Sequence, residues 1–305
     1  LAMRRSLSFP LVFLLLLSLP LLSASLKFLV FNLIWAHSHS NFIGRVADVL
    51  VEAGHEVVVL SPILHGGISN TTSKLARTIH VPPSEFSSNF QKIQEAMYTS
   101  MLWNAPQGVP DIFIEPQRNA TFYIADACRA TLLSPGLLES LRAEKFDGAF
   151  GEYYDACGFG IFHLLGINKF AVVQSTASMD YSEVTGVPTF PSFQPGLLSL
   201  YGDEMSFWER LHNARIMHGW DLTLRIVDEG VQRVFDELHS DFPSLRAIVR
   251  NASYFFLNTE PLIDFPRLVS RKMVDIGGIA LPTEWHPLKE ELSANSDVFA
   301  QILKA

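Results

Sequence analysis

The chain has 305 residues, of which 48% are hydrophobic, and its formal net charge at pH 7 is −8. This length and apolar content suffice for a large buried core, built as one large domain or two small ones. Nucleic acid is not an expected partner, because the charge balance is acidic and no dense run of Lys and Arg occurs. The chain is not a disulfide scaffold either. Its only two cysteines, Cys128 and Cys157, are compatible with one bridge or with two buried thiols.

The first residues have the pattern of a targeting segment. Arg4 and Arg5 precede an apolar run at residues 9–22, and small residues follow that run. This order predicts a secretory signal peptide over residues 1–25, so that the mature chain starts near Leu26; an uncleaved membrane anchor is the alternative.

Three N-glycosylation sequons agree with entry into the secretory pathway. They begin at Asn70, Asn119 and Asn251, and the last is the weakest because it directly precedes a predicted strand. No segment after the predicted signal has the roughly twenty consecutive apolar residues that a membrane span needs.

A strand–helix–strand unit follows the predicted signal. A strand at residues 26–33 leads into a polar loop at 34–40, and an apolar stripe at helical spacing predicts a helix at 41–53. Gly54 is placed as a left-handed helix cap, and the apolar run 57–60 forms the next strand. Such continuous apolar runs are typical of strands buried on both faces of a parallel sheet.

The polar loop of this unit carries two histidines, His37 and His39. Open parallel sheets bind ligands at the carboxyl ends of their strands, and the loop lies at such an end. We therefore treat these two side chains as the first candidates for chemistry.

The rest of the chain repeats the alternation of strands and helices, which predicts an α/β fold with a mostly parallel sheet. Residues 75–94 show no clear pattern, and residues after 281 are polar and weakly patterned. The remaining predicted elements are strands at 146–150, 170–173, 254–257 and 272–276, helices at 122–144 (interrupted by Pro135-Gly136), 157–165 and 207–238, and polar strand exits at 152–155 and 174–176.

Several short segments occur in the order found in one enzyme family. They are 38–42 (Ser-His-Ser-Asn-Phe), 54–57 (Gly-His-Glu-Val), 146–147 (Phe-Asp), 157–158 (Cys-Gly), 186–188 (Gly-Val-Pro) and 275–279 (Asp-Ile-Gly-Gly-Ile). Over residues 26–282 the chain resembles the N-terminal half of the UDP-glucuronosyltransferase and UDP-glycosyltransferase family, particularly its nematode members. The resemblance implies a Rossmann-like parallel sheet flanked by helices, the acceptor domain of a GT-B glycosyltransferase.

The resemblance also implies a division of the chain and a reaction. Residues 26–281 would form the acceptor-binding domain, and 282–305 a linker into a nucleotide-sugar domain that these 305 residues lack. The reaction would be inverting transfer of a sugar from UDP-glucuronate or UDP-glucose to a hydroxyl of a small lipophilic acceptor. It would need no cofactor and no metal, with the UDP-sugar as co-substrate.

The implied setting is the lumen of the endoplasmic reticulum, with membrane association of the full-length protein. The chain alone is expected to be inactive, since the donor domain is missing. A non-catalytic lumenal protein that binds small lipophilic ligands is the alternative.

His39 matches the position of the family's catalytic base. Sugar transfer with inversion needs a base that takes the acceptor hydroxyl's proton. The positive end of a helix dipole favours the neutral imidazole that can do so. A solvated loop histidine, with Ser38 or Ser40 capping the helix, is the other interpretation, and His37 is the alternative base.

The family pairs its histidine with an aspartate, and the matching position here is Glu152. A carboxylate at this place could orient the imidazole and stabilise imidazolium. Glutamate is one methylene longer, so the geometry must adapt. Asp155 is the backup, and a solvated loop acid is the other interpretation of each.

A lipophilic acceptor needs an apolar pocket with few polar groups. For any one of the candidate aromatic and apolar residues, ordinary core packing is the competing interpretation. The candidates are Trp35, Phe42, Met97, Trp103, Phe190 and Phe193.

Overall fold

The structure, a computed structural model, describes residues 25–68, 72–97, 111–176, 182–197 and 199–281. Residues 1–24 of the predicted signal peptide, the predicted linker at 282–305, Asn70 and Trp103 lie outside these ranges. The side chain of Met97 is likewise not described.

One parallel sheet of seven strands organises the described residues, in the order β3-β2-β1-β4-β5-β6-β7. Chain order runs outward from β1 in one direction and then from β4 in the other, which is the Rossmann arrangement. The predicted Rossmann-like α/β fold is thereby confirmed. The strands are β1 (Lys27–Phe31), β2 (Glu56–Pro62), β3 (Arg77–Val81), β4 (Gly148–Gly151), β5 (Phe170–Gln174), β6 (Tyr254–Leu257) and β7 (Met273–Asp275).

Helices cover both faces of the sheet and bury its apolar side chains in two clusters. One cluster joins Val30, Val59 and Val173 of the sheet to the first helix, and a larger one fills the opposite face. The helices are α1 (His37–Glu52), α2 (Phe90–Met97), α3 (Asp111–Leu132), α4 (Leu137–Ala143), α5 (Cys157–Leu164), α6 (Ser182–Thr185), α7 (Phe207–Leu238) and α8 (Leu245–Arg250), with a short 3₁₀ turn at Ser87–Asn89.

Helix α1 ends as predicted but begins earlier than predicted. Gly54 has a φ of 90°, its N–H donates to Val51 O, and the next N–H, of His55, donates to Leu50 O. These are the two bonds of a Schellman cap. The helix starts at His37 rather than at the predicted Asn41. The sequence pattern missed this first turn because the turn is polar and carries no apolar periodicity. His37 and His39 therefore lie in the first helical turn and not in a loop.

Other elements escaped the sequence patterns for similar reasons. Strand β3 lies at the sheet edge and alternates polar and apolar residues, so it lacks the continuous apolar run of a central strand. Helix α8 has six residues, too few to show a helical period. Helix α3 begins at Asp111, ahead of the predicted start at 122.

Cys128 and Cys157 form a disulfide, which decides between the two possibilities that the sequence left open. The bridge ties the interior of α3 to the first residue of α5, just after the exit loop of β4. Both residues are buried in the larger core cluster.

Replacing both cysteines with alanine should lower the free energy of unfolding by about 3.6 kcal/mol, because the bridge closes a loop of 29 residues in the unfolded chain. Urea unfolding of oxidised wild type and variant checks this, with reduced wild type as the control that should approach the variant. Two titratable thiols in the oxidised, folded wild type would contradict the pairing.

Candidate active site

Three neighbouring strands deliver polar side chains to one edge of the sheet. Glu152 directly follows β4, Ser175 directly follows β5, and His39 is the third residue of α1, the helix that follows β1. Successive strands are added to the sheet on one side from β1 and on the opposite side from β4, so the strand order reverses between these two parallel strands. This makes the edge the topological switch point where open α/β sheets bind ligands.

His39 and Glu152 are in direct contact. Nδ1 of His39 lies 2.8 Å from Oε2 of Glu152, with side chains that are 13% and 10% exposed. An ionised carboxylate only accepts hydrogen bonds, so the imidazole donates from Nδ1 and keeps the lone pair on Nε2. This arrangement can orient the ring and support its positive charge after it takes up a proton.

Ser175 is a third member of this contact, which sequence reasoning missed. Its Oγ lies 2.9 Å from Nδ1 of His39 and also donates to Oε1 of Glu152. Its backbone N–H donates to the same Oε1 at 3.1 Å. The only sequence signal was the polar exit of β5 at residues 174–176.

Two aromatic rings pack beside the histidine. The centroid of Trp35 lies 4.4 Å from that of His39, and Trp35 stacks on Tyr154 at 4.3 Å. Both rings are buried, at 8% exposure each. Of the predicted acceptor-binding residues whose side chains the structure describes, Trp35 is thus the one that lies against the histidine.

Three further predicted acceptor-binding residues with described side chains lie elsewhere in the structure. Phe42 is buried with Val30 and Val59 in the core cluster beneath α1, so the competing interpretation, core packing, describes it. Phe190 and Phe193 stack on each other at 5.6 Å, and no ring contact among the described residues joins either of them to His39.

Asn32, another residue that the sequence did not single out, fixes the start of α1. It is buried, and its Nδ2 donates to the carbonyl of Ser40 at 3.0 Å and to Oγ1 of Thr72 at 2.8 Å. The helix N-cap is Ala36, with no side-chain bond, so neither Ser38 nor Ser40 caps the helix. The buried side-chain amide of Asn32 therefore anchors the turn that carries His39, in place of an N-cap side chain.

Asp155 does not share the role of Glu152. Its Oδ1 accepts the N–H of Cys157 at 2.8 Å, at the start of α5. Burial, assisted by the nearby charge of Glu152, raises the pKa of Asp155 to about 7, against the opposing effect of the Cys157 N–H. The structure thus places Glu152 on the imidazole and the backup residue on a helix terminus.

The described residues contain no group of three or more His, Cys, Asp or Glu side chains that could hold a metal ion. Within the same ranges, no helix is both long and apolar enough to cross a membrane.

Asp155→Asn should remove a pH dependence of stability. Between about pH 4 and pH 7 the folded chain holds a proton on Asp155 that the unfolded chain has released, so the contribution of Asp155 to wild-type stability falls as pH rises through this window. Asparagine cannot titrate and can still accept the Cys157 N–H. The stability of the variant should therefore gain on wild type by up to about 1.4 kcal/mol per pH unit across the window. Denaturant unfolding at a series of pH values measures the difference, and a difference that does not change with pH would contradict the buried, protonated Asp155.

Comparison with known proteins identifies relatives along nearly the whole chain. The family model described as UDP-glucoronosyl and UDP-glucosyl transferase matches residues 27–298. A Caenorhabditis elegans protein, provisionally named UDP-glucuronosyltransferase ugt-56, is 28% identical over 271 residues, covering 87% of this chain and 50% of that protein. Rat UDP-glucuronosyltransferase 1A3 is 27% identical over 274 residues, covering 88% and 50%. The chain thus spans about half the length of these curated relatives.

Among solved structures, the calicheamicin glycosyltransferase CalG4 is similar at 11% identity and a TM-score of 0.46, covering 83% of this chain and 53% of that one. Nothing about ligands or reaction follows from a likeness this distant.

Proposed function

Because this chain belongs to the UDP-glucoronosyl and UDP-glucosyl transferase family, we propose that it is the acceptor-binding half of an inverting UDP-glycosyltransferase. Its acceptors are small lipophilic compounds with a hydroxyl group, and its donor is UDP-glucuronate or UDP-glucose. Residues 26–281 form the acceptor domain, and the donor is held by the half of the enzyme that lies beyond the matched region in the relatives. The observation that carries the proposal is the 2.8 Å contact between His39 and Glu152 at the switch point of the sheet.

In the proposed reaction, Nε2 of His39 accepts the proton of the acceptor hydroxyl while that oxygen attacks the anomeric carbon of the sugar. The bond from that carbon to the UDP oxygen breaks, and UDP leaves with the electron pair. Inversion follows from attack on the face opposite the leaving group. Glu152 stays ionised and stabilises the imidazolium that forms, in the way that the acid of a catalytic triad does.

Trp35 and Tyr154 supply the apolar wall of the acceptor site in this proposal. Their stacked rings lie beside His39, so an apolar acceptor that lies against them has its hydroxyl near the base. A non-catalytic binding protein would need such a wall as well. It would have no use for a histidine with a partly buried carboxylate on Nδ1, which is why we favour the enzyme.

His39→Ala should abolish transfer, with a loss on the order of a hundred- to ten-thousand-fold in kcat, because the base acts in the transition state. Acceptor binding should stay within a small factor, since the apolar wall holds the ground state. Glu152→Gln should cost less, because it keeps the shape but loses the charge that supports imidazolium. The assay uses this chain joined to the remaining half of a family member, with purified acceptor and UDP-sugar.

His37→Ala is the matched control, because His37 lies in the same helical turn but is exposed and contacts Asn41 instead. It should change kcat little. If His37→Ala lowered kcat severely and His39→Ala only mildly, His37 would be the base. If neither substitution changed kcat, the histidine mechanism would be refuted.

The secretory setting is part of the same proposal, with the endoplasmic reticulum lumen as its site. The Cys128–Cys157 bridge supports it, because such bridges persist in oxidising compartments. Membrane association of the full-length protein is likewise proposed from the family.

Expressed in a eukaryotic secretory host, the protein should begin near Leu26 and carry glycans at Asn70, Asn119 and Asn251. The two of these that lie within the described residues are exposed, Asn119 on α3 and Asn251 at the end of α8. Intact-mass and peptide mass spectrometry check this, and each Asn→Gln change should remove the mass of one glycan. A chain that keeps residues 1–25 and carries no glycan would contradict the secretory assignment.

A further inference from the structure

We propose that Ser175 is a positioning residue for the His39–Glu152 pair, holding the carboxylate and the imidazole so that Nε2 of His39 is free to accept a proton. The catalytic meaning of this role rests on the proposed function. The hydrogen bonds themselves can be tested without any turnover.

The direction of each hydrogen bond follows from the available protons. The hydroxyl of Ser175 has one proton, and the carboxylate of Glu152 has none to give, so that proton goes to Oε1. The serine oxygen then faces His39 with a lone pair, at 2.9 Å from Nδ1. Oε2 of Glu152 is also an acceptor, so Nδ1 of His39 must carry a proton. That proton is shared between two acceptors, Oε2 of Glu152 and Oγ of Ser175.

Glu152 needs such a holder more than a shorter acid would. Compared with aspartate, glutamate has one more rotatable bond to restrain, and ordering it costs more conformational entropy. Ser175 binds Oε1 with two donors, the hydroxyl and the backbone N–H, which leaves Oε2 for the histidine. The longer acid is thus fixed at both oxygens.

Ser175 is itself held by the sheet. Its carbonyl accepts a hydrogen bond from Nδ2 of Asn258 at 3.0 Å, just after β6. The neighbouring strands β5 and β6 therefore fix the position of Ser175, and the hydrogen bonds of Ser175 fix the position of the Glu152 carboxylate. Removing only its hydroxyl should loosen the pair without disturbing the sheet.

Nuclear magnetic resonance of the chain labelled with ¹⁵N-histidine gives the direct test. An Nδ1–H held between two acceptors is protected from exchange and should give its own downfield proton resonance. The His39→Asn spectrum assigns that resonance among the ten histidines. Ser175→Ala should broaden or abolish it.

Ser61→Ala is the matched control. It is the same chemical change at a buried serine of the same sheet, whose hydroxyl has no hydrogen-bond partner among the described residues. Ser175→Thr and Ser175→Val form a second pair of similar shape, with and without the hydroxyl, in case the alanine variant does not fold. The resonance should survive in Ser61→Ala and Ser175→Thr and be lost in Ser175→Val.

Survival of the resonance in both Ser175→Ala and Ser175→Val would overturn the proposal. Its loss in Ser61→Ala as well would also overturn it, because a general loosening would then explain the effect.

Kinetics of the joined enzyme give a second readout. Ser175→Ala should lower kcat roughly three- to tenfold, the range expected for one lost hydrogen bond, with the acceptor KM within about twofold. In a Glu152→Gln background the same change should have almost no further effect, because the serine acts through the glutamate. An equal loss in both backgrounds would overturn the proposal. If the wild-type joined enzyme shows no transfer but the resonance pattern holds, the proposed reaction falls and the positioning role of Ser175 stands.

Discussion

The pairing of β1 with β4 is the constraint on which the rest of the site depends. Phe31 lies opposite Gly151, so the two parallel strands end at the same level of the sheet. Glu152 comes next after β4, and the chain from β1 turns into α1 within a few residues. A shift of one residue in this register would turn Glu152 to the other face of the sheet and away from the histidine.

Several contacts hold the exit loop of β4 in place. The hydroxyl of Tyr153 donates to Asp228 of α7, which also accepts from Arg246 of α8 at 2.8 Å. Asp155 accepts the N–H of Cys157, and Cys157 is bridged to α3. Because buried polar groups are costly unless they are paired, such bonds favour one arrangement of the loop over others. The residue between these anchors and the strand, Glu152, thereby has a defined position.

Hydrogen bonds from neighbouring segments also hold α1 in place, although its N-cap has no side-chain hydrogen bond. The amide of Asn32 reaches the carbonyl of Ser40, and Asp48 accepts the backbone N–H groups of Lys74 and Leu75. Gly44 lies where a Cβ would be 2.0 Å from the carbonyl oxygen of Thr72, so α1 approaches this segment as closely as glycine permits. The helix that carries His39 is therefore fixed both at its start and along its flank.

The amino-acid sequence by itself determined the fold class and the first candidates for chemistry. Continuous apolar runs predict buried parallel strands, and Gly54 predicts the end of α1. These signals depend only on local burial and backbone conformation. The same local logic missed the edge strand β3 and the polar first turn of α1, where no periodic apolar signal exists. Only the tertiary structure paired Cys128 with Cys157 and brought Ser175 to Glu152, contacts between residues 29 and 23 positions apart. It also gave different contacts to Glu152 and Asp155, and to Trp35 and Phe42. Residues of the same chemical type that are close in sequence can touch different partners once strands pair and helices pack.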